Sequence, residues 1–201
     1  MSISKKDLII LPITDEMNNL AEYMSEKRKL FEYPRKGYGD YDSRGINKIK
    51  TGILGELCFL EFIFSNLEKK YGHLPAKERW EILHKTVKFS YNLIIGKFDD
   101  GFEFKMGTKV IDIKTYENNI VTVEQIFNGL NDSGRPLNLF IDESQNAKAD
   151  YYVQVFLLPE DKICLAGYYK GLPPLATWMP NPAYTCPVPD LKNIKIILQY
   201  I

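Results

Sequence analysis

The run Val110-Ile111-Asp112-Ile113-Lys114 alternates apolar and charged side chains. In a β-strand that alternation sets Asp112 and Lys114 on one face, roughly 7 Å apart along the chain. A carboxylate beside an ammonium can hold a cation and steady a developing negative charge. An Asp-x-Lys on a wet strand face is also an ordinary surface pair, so the neighbouring residues decide between the two readings. A hairpin turning at Met106-Gly107-Thr108 places residues near 101 opposite Asp112, which brings Asp100 beside it. Two carboxylates on adjacent strands repel unless a cation lies between them, and hard oxygen ligands suit Mg²⁺ or Mn²⁺. Asp99 and Glu103 compete with Asp100. The register sets Glu103 nearer Lys109 and Val110, and Asp99 points to the other face unless a bulge intervenes, which favours Asp100.

A third acid, Glu56, stands in Thr51-Gly-Ile-Leu-Gly-Glu-Leu-Cys-Phe, at a helical angle among Ile49, Ile53, Leu60 and Ile63. A carboxylate inside an apolar stripe is costly unless it is paired, protonated or bound to metal. The small residues Gly52 and Gly55 allow this helix to approach a sheet closely. Glu61 lies nearer the edge of the stripe and is the weaker candidate.

The elements that must position these residues follow from periodicity. Thr14 caps a first helix, in which Met17, Leu20, Ala21 and Met24 share a face and which ends before Pro34. The stretch 33–47, with Pro34, Gly37, Gly39 and Gly45, reads as an exposed loop. A second helix over about 48–69 carries Ile49, Ile53, Leu57, Leu60, Phe64 and Leu67 on one stripe. Pro75 opens a third, through roughly Lys85. From Val87 the period becomes two. Strands are expected at 102–105, 109–116, 137–141, 151–158, 163–169 and 194–200. Helices followed by hairpins and strands argue for a single α/β domain, a mixed central β-sheet flanked by helices.

Composition bounds the rest. The chain has 201 residues, 45% of them apolar, enough for one domain with its own core. Its formal charge is zero, so any nucleic-acid surface must be local. From Glu26 to Lys50 there are eight cations (Lys27, Arg28, Lys29, Arg35, Lys36, Arg44, Lys48, Lys50) against four acids, interleaved with Tyr38 and Tyr41. That stretch is either a solvated loop or a phosphate-binding surface with stacking platforms. The three cysteines, Cys58, Cys164 and Cys186, lack zinc or redox spacing and point to a reduced, cytoplasmic protein. The short apolar run before Pro12 is expected to be neither signal peptide nor membrane anchor. No phosphate-loop motif occurs, and neither His73 nor His84 sits near a nucleophile pattern.

Gly55-Glu56 on a core helix, Asp100, and Ile111-Asp-Ile-Lys-Thr115 together resemble the PD-(D/E)XK nuclease superfamily, the restriction-endonuclease-like fold. Ala149-Asp-Tyr-Tyr-Val153 and Leu165-Ala-Gly-Tyr168 resemble the paired strands that follow this core in phage and mobile-element members. No Pro precedes Asp100, a departure from the motif's usual form. The resemblance covers about 48–169. It implies a metal-dependent nuclease, most readily a DNA endonuclease. In it Asp100, Asp112 and the carbonyl of Ile113 hold Mg²⁺ or Mn²⁺, Glu56 is an accessory ligand, and Lys114 stands beside the attacking water. Arg35, Lys36, Arg44, Lys48 and Tyr116 are then the residues expected to grip nucleic acid, and a homodimer would allow both strands of a duplex to be cut. The competing expectations are a catalytically silent binding module of the same fold and an unrelated α/β protein with a surface Asp-x-Lys pair.

Overall fold

The computed structural model describes residues 3–29, 43–73, 75, 77, 78, 81, 87, 88, 103–116, 120–142, 149–177 and 182–200. Its central sheet runs in the order β1 (Ile9–Pro12), β7 (Lys162–Lys170), β6 (Tyr151–Leu158), β4 (Lys109–Tyr116), β3 (Glu103–Met106) and β2 (Val87–Lys88). The two middle strands, β4 and β6, are parallel, and every other pairing in this sheet is antiparallel. A parallel pair cannot be joined by a tight hairpin. The connection across 117–150 carries the short helix α3 (Val123–Asn128) and strand β5 (Asn138–Asp142). Strand β5 leaves the central sheet and pairs with β9 (Ala183–Pro187), which also pairs with β8 (Leu175–Ala176). The architecture is the α/β class that the change of period implies.

Two helices, α1 (Asp15–Lys29) and α2 (Ser43–Tyr71), lie on one face of the sheet. Thr14 caps α1 as expected, its Oγ1 accepting from the Met17 N–H at 3.2 Å. The buried side of α1 is narrower than the sequence suggests: Ala21 and Ser25 are buried, whereas Leu20 is 45% exposed. Helix α2 starts at Ser43 and takes the last five residues of the expected loop, Arg44 among them. Its burial is wider than one stripe, since Leu54, Cys58, Phe59 and Phe62 are buried along with Ile53 and Leu57. The reason is packing on two sides, with α1 on one and the sheet on the other. Phe59 meets Phe104 of β3 edge to face, ring centroids 5.1 Å apart. On the opposite face a second core joins Leu139 and Ile141 of β5 with Tyr152 and Phe156 of β6 and Cys164 and Ala166 of β7.

Two expectations need correction. Strand β3 turns into β4 through Gly107 and Thr108 alone, with Gly107 at φ 60°, a left-handed value that glycine adopts without penalty. Phe104 consequently faces Ile111, and this register, continued by one rung, leads to Glu103 rather than residue 101 as the position across from Asp112. The preference for Asp100 rested on the other register; Asp99 and Asp100 lie outside the described residues. The segment Ile194–Tyr200 is a 3₁₀ helix rather than a strand. Ile194 and Ile197, three apart, are buried, while Ile196 is exposed, so the threefold period prevails. Asn193 opens this turn, its Oδ1 accepting from the Lys195 N–H at 2.9 Å. Most of the expected third helix lies outside the described residues, although Lys77, Glu78 and Glu81 are helical.

Candidate functional site

Alternation along β4 sorts its residues between the two faces. Ile111 and Ile113 belong to the core under α1 and α2, and Tyr116 belongs to the opposite one. Asp112 and Lys114 therefore share the face away from the helices. Their side chains meet, Lys114 Nζ lying 2.9 Å from Asp112 Oδ2. The lysine side chain is 22% exposed and the aspartate 36%, so the pair is partly withdrawn from water yet open to a ligand. Exposed ion pairs contribute little to stability, which leaves room for a role other than holding the fold together.

The parallel partner strand supplies the rest of the surroundings. Tyr152 stands across from Asp112, and Gln154 across from Lys114. Tyr152 is buried, and its hydroxyl oxygen accepts from the Ala149 N–H at 3.1 Å. Burial pushes the phenol's pKa up, the Ala149 hydrogen bond opposes this, and the negative charge of Asp112 adds to the rise. Gln154 is only 2% exposed, and its Nε2 donates to the Val155 carbonyl at 2.9 Å. Opposite it, β7 carries a bulge: Gln154 pairs with Gly167 and Val155 with Leu165, leaving Ala166 as the extra residue. Gly167 is required there, because a Cβ would lie 2.7 Å from the Lys192 carbonyl oxygen.

Helix α2 reaches β4 from the other face. A Cβ at Gly55 would lie 2.0 Å from Thr115 Oγ1, so the absence of a side chain is what lets helix and strand touch. Glu56, the next residue, is buried at 9% exposure, as its place in the apolar stripe predicts. Because Asp112 and Lys114 project away from α2, Glu56 does not share their face of β4. The side chain of Ile113 packs in the helix-side core, and Tyr116 packs against Phe156, ring centroids 5.5 Å apart. Lys48 is exposed on α2, Arg44 lies in its first turn, and Arg35 and Lys36 lie outside the described residues.

Sequence reasoning passed over Asp150, at the head of β6. Its Oδ2 accepts from the Val110 N–H and its Oδ1 from Lys109 Nζ, both at 3.0 Å. These two hydrogen bonds, the backbone one first, hold its carboxyl below the usual range. Gln154 was also passed over; the signal was a lone amide inside the apolar run Tyr151–Leu158. The cysteines behave as small hydrophobes: burial pushes the thiols of Cys58 and Cys164 up to about 12 and that of Cys186 up to about 11.

Among the described residues, no three of His, Cys, Asp and Glu cluster as a metal cage. Mg²⁺ keeps several waters and commonly takes one or two carboxylates together with substrate phosphate. Asp112, its side chain 36% exposed, offers one such carboxylate. Among the described residues no helix is long and apolar enough to cross a membrane. Comparison with known proteins finds no matching family model, no matching curated protein and no matching solved structure.

Proposed function

We propose that this chain is a metal-dependent nuclease of the PD-(D/E)XK kind that hydrolyses phosphodiester bonds, with duplex DNA as the first substrate to try. The observation that carries the reading is the contact of Lys114 Nζ with Asp112 Oδ2 at 2.9 Å, on a half-open face of the two central strands. Asp112 would hold Mg²⁺ or Mn²⁺ together with a second acid from the segment before it, Asp100 or in its place Asp99 or Glu103, the Ile113 carbonyl being a further ligand. The ion would neutralise phosphate charge and lower the pKa of the attacking water. Lys114 gives the site a cation of its own. Aspartate contact fixes the direction of its ammonium, which can donate to the nucleophilic oxygen and oppose the charge growing on phosphorus-bound oxygens. Buried Gln154 and Tyr152 form the floor beneath the pair and keep its neighbourhood drier than open surface, which strengthens each of these interactions.

The basic stretch that leads into α2 and continues through its first turns, including Arg35, Lys36, Arg44 and Lys48, is the proposed nucleic-acid grip, with Tyr116 beside the site. A second copy of the chain would place a second site on the other strand of a duplex. Plasmid, linear duplex, single-stranded and branched DNA and RNA, each incubated with Mg²⁺ and with Mn²⁺, test the reading. Cleavage that needs the divalent ion and fails in Asp112→Asn is expected. Equal cleavage by wild type and Asp112→Asn would remove the claim.

A further inference from the structure

The register of the parallel pair β4–β6 decides which residues surround Asp112 and Lys114. No hairpin fixes it, because the chain travels through α3 and β5 between the two strands. A slip by one residue would turn one strand's side chains to the other face. The cores on the two faces resist such a slip, and Asp150 is placed to pin the head of the pair as well. Its N–H donates to the Val110 carbonyl at 2.9 Å. Continued by one place, the register of this pair sets Val110 across from Asp150, and a regular parallel rung would take the Val110 N–H to the Ala149 carbonyl. Here it bonds Asp150 Oδ2, at 3.0 Å, so the side chain serves as the acceptor at the head of the ladder. Oδ1 takes Lys109 Nζ at 3.0 Å, and the Asp150 carbonyl accepts from the Gly171 N–H at 2.8 Å, tying the end of β7 to the same point. Both side-chain attachments are to β4. Two residues beyond Val110 is Asp112, and two beyond Asp150 is its register partner Tyr152.

We infer that Asp150 is a positioning residue, whose carboxylate completes the head of the β4–β6 ladder and thereby fixes where Asp112 and Lys114 stand. Its consequence for turnover rests on the nuclease reading; its consequence for geometry does not. In the full chain, Asp150→Ala loses both attachments, Asp150→Asn keeps an oxygen for the Val110 N–H, and Ile163→Val in β7 serves as a control for simple loss of stability. Two readouts are taken: the kcat and KM of Mn²⁺-dependent cleavage, and the NMR signals of the Lys114 ammonium and the Asp112 carboxyl. Asp150→Ala should lower kcat on the order of ten-fold to a hundred-fold with KM little changed, the usual size of a small misplacement. It should also shift both NMR signals, and Asp150→Asn should restore most of each. Ile163→Val should lower the melting temperature and move neither. Unshifted Lys114 and Asp112 signals in Asp150→Ala, or an Asn variant no better than Ala, would overturn the inference. If wild type cleaves nothing, the nuclease reading fails, and the two NMR signals still decide the role of Asp150.

Discussion

A lysine 22% exposed and 2.9 Å from an aspartate was legible in the sequence to the extent that strand alternation puts both on one face. What alternation could not reveal is which face, and this bears on Glu56. Its burial follows from its stripe, but α2 packs against Ile111, Ile113 and Thr115, the residues that alternate with the site. Divalent binding should therefore separate the two acids: Asp112→Asn should abolish the calorimetric signal of Mn²⁺ binding, and Glu56→Gln should weaken it only modestly. Equal losses would place Glu56 among the direct ligands. Asp150 makes a second prediction, on pH. Its carboxyl is held below the ordinary 3.8 by Val110 and Lys109, so the folded state binds its proton less readily than the unfolded chain. The stabilisation is complete above about pH 5 and is lost as pH falls through the ordinary and then the lowered pKa. The melting-temperature gap between wild type and Asp150→Asn should be constant from neutrality to about pH 5 and close in stronger acid. A gap that grew on acidification would show the reverse coupling.

At the scale of elements, long periodic segments were legible and short ones were not. Helix α2 and strands β4, β6 and β7 declare themselves through many residues of one period. Helix α3 has six residues; what defines it is the reciprocal cap of Thr122 and Gln125 and the left-handed Gly129, local chemistry invisible to a periodicity count. The 3₁₀ turn at Ile194–Tyr200 imitates a strand in composition because three isoleucines suit either fate. The register of β3 on β4 hung on the turn: the expected one set residues near 101 across from Asp112, and the two-residue turn moves the register two places along β3. Closest packing gives the element-scale prediction. Gly55→Ala adds a methyl 2.0 Å from Thr115 Oγ1 and should cost about 1–3 kcal/mol by overpacking, with cleavage falling as β4 is pushed. Gly55→Ala with Thr115→Ala removes the clashing hydroxyl and keeps alanine's higher helix propensity, worth up to about 1 kcal/mol, so denaturant unfolding should recover to wild type or above. Additive losses in the double variant would show that Gly55 matters for another reason.

Among the described residues, the central sheet carries a core on each face, and Asp112 and Lys114 lie on the face away from α1 and α2. Net charge is zero, and the proposed attraction to a polyanion rests on the local excess of cations between Glu26 and Lys50. Replacing Arg35, Lys36, Arg44 and Lys48 by Ala should weaken DNA binding for every sequence tried and flatten its dependence on salt, since each lost phosphate contact releases one counterion fewer. Wild-type affinity and slope in that variant would return the stretch to a solvated surface.

The central claim is that Lys114 serves the chemical step rather than the fold or the metal, and the most direct measurement is single-turnover cleavage by Lys114→Met with Mn²⁺ and DNA saturating. Methionine keeps much of the side chain's volume and removes the charge. The account predicts Mn²⁺ and DNA binding retained, with the cleavage rate lower on the order of a hundred-fold or more, the usual loss when a preorganised charge is removed from beside the reacting atoms. A Lys114→Met protein that cuts at the wild-type rate while Asp112→Asn is dead would contradict it.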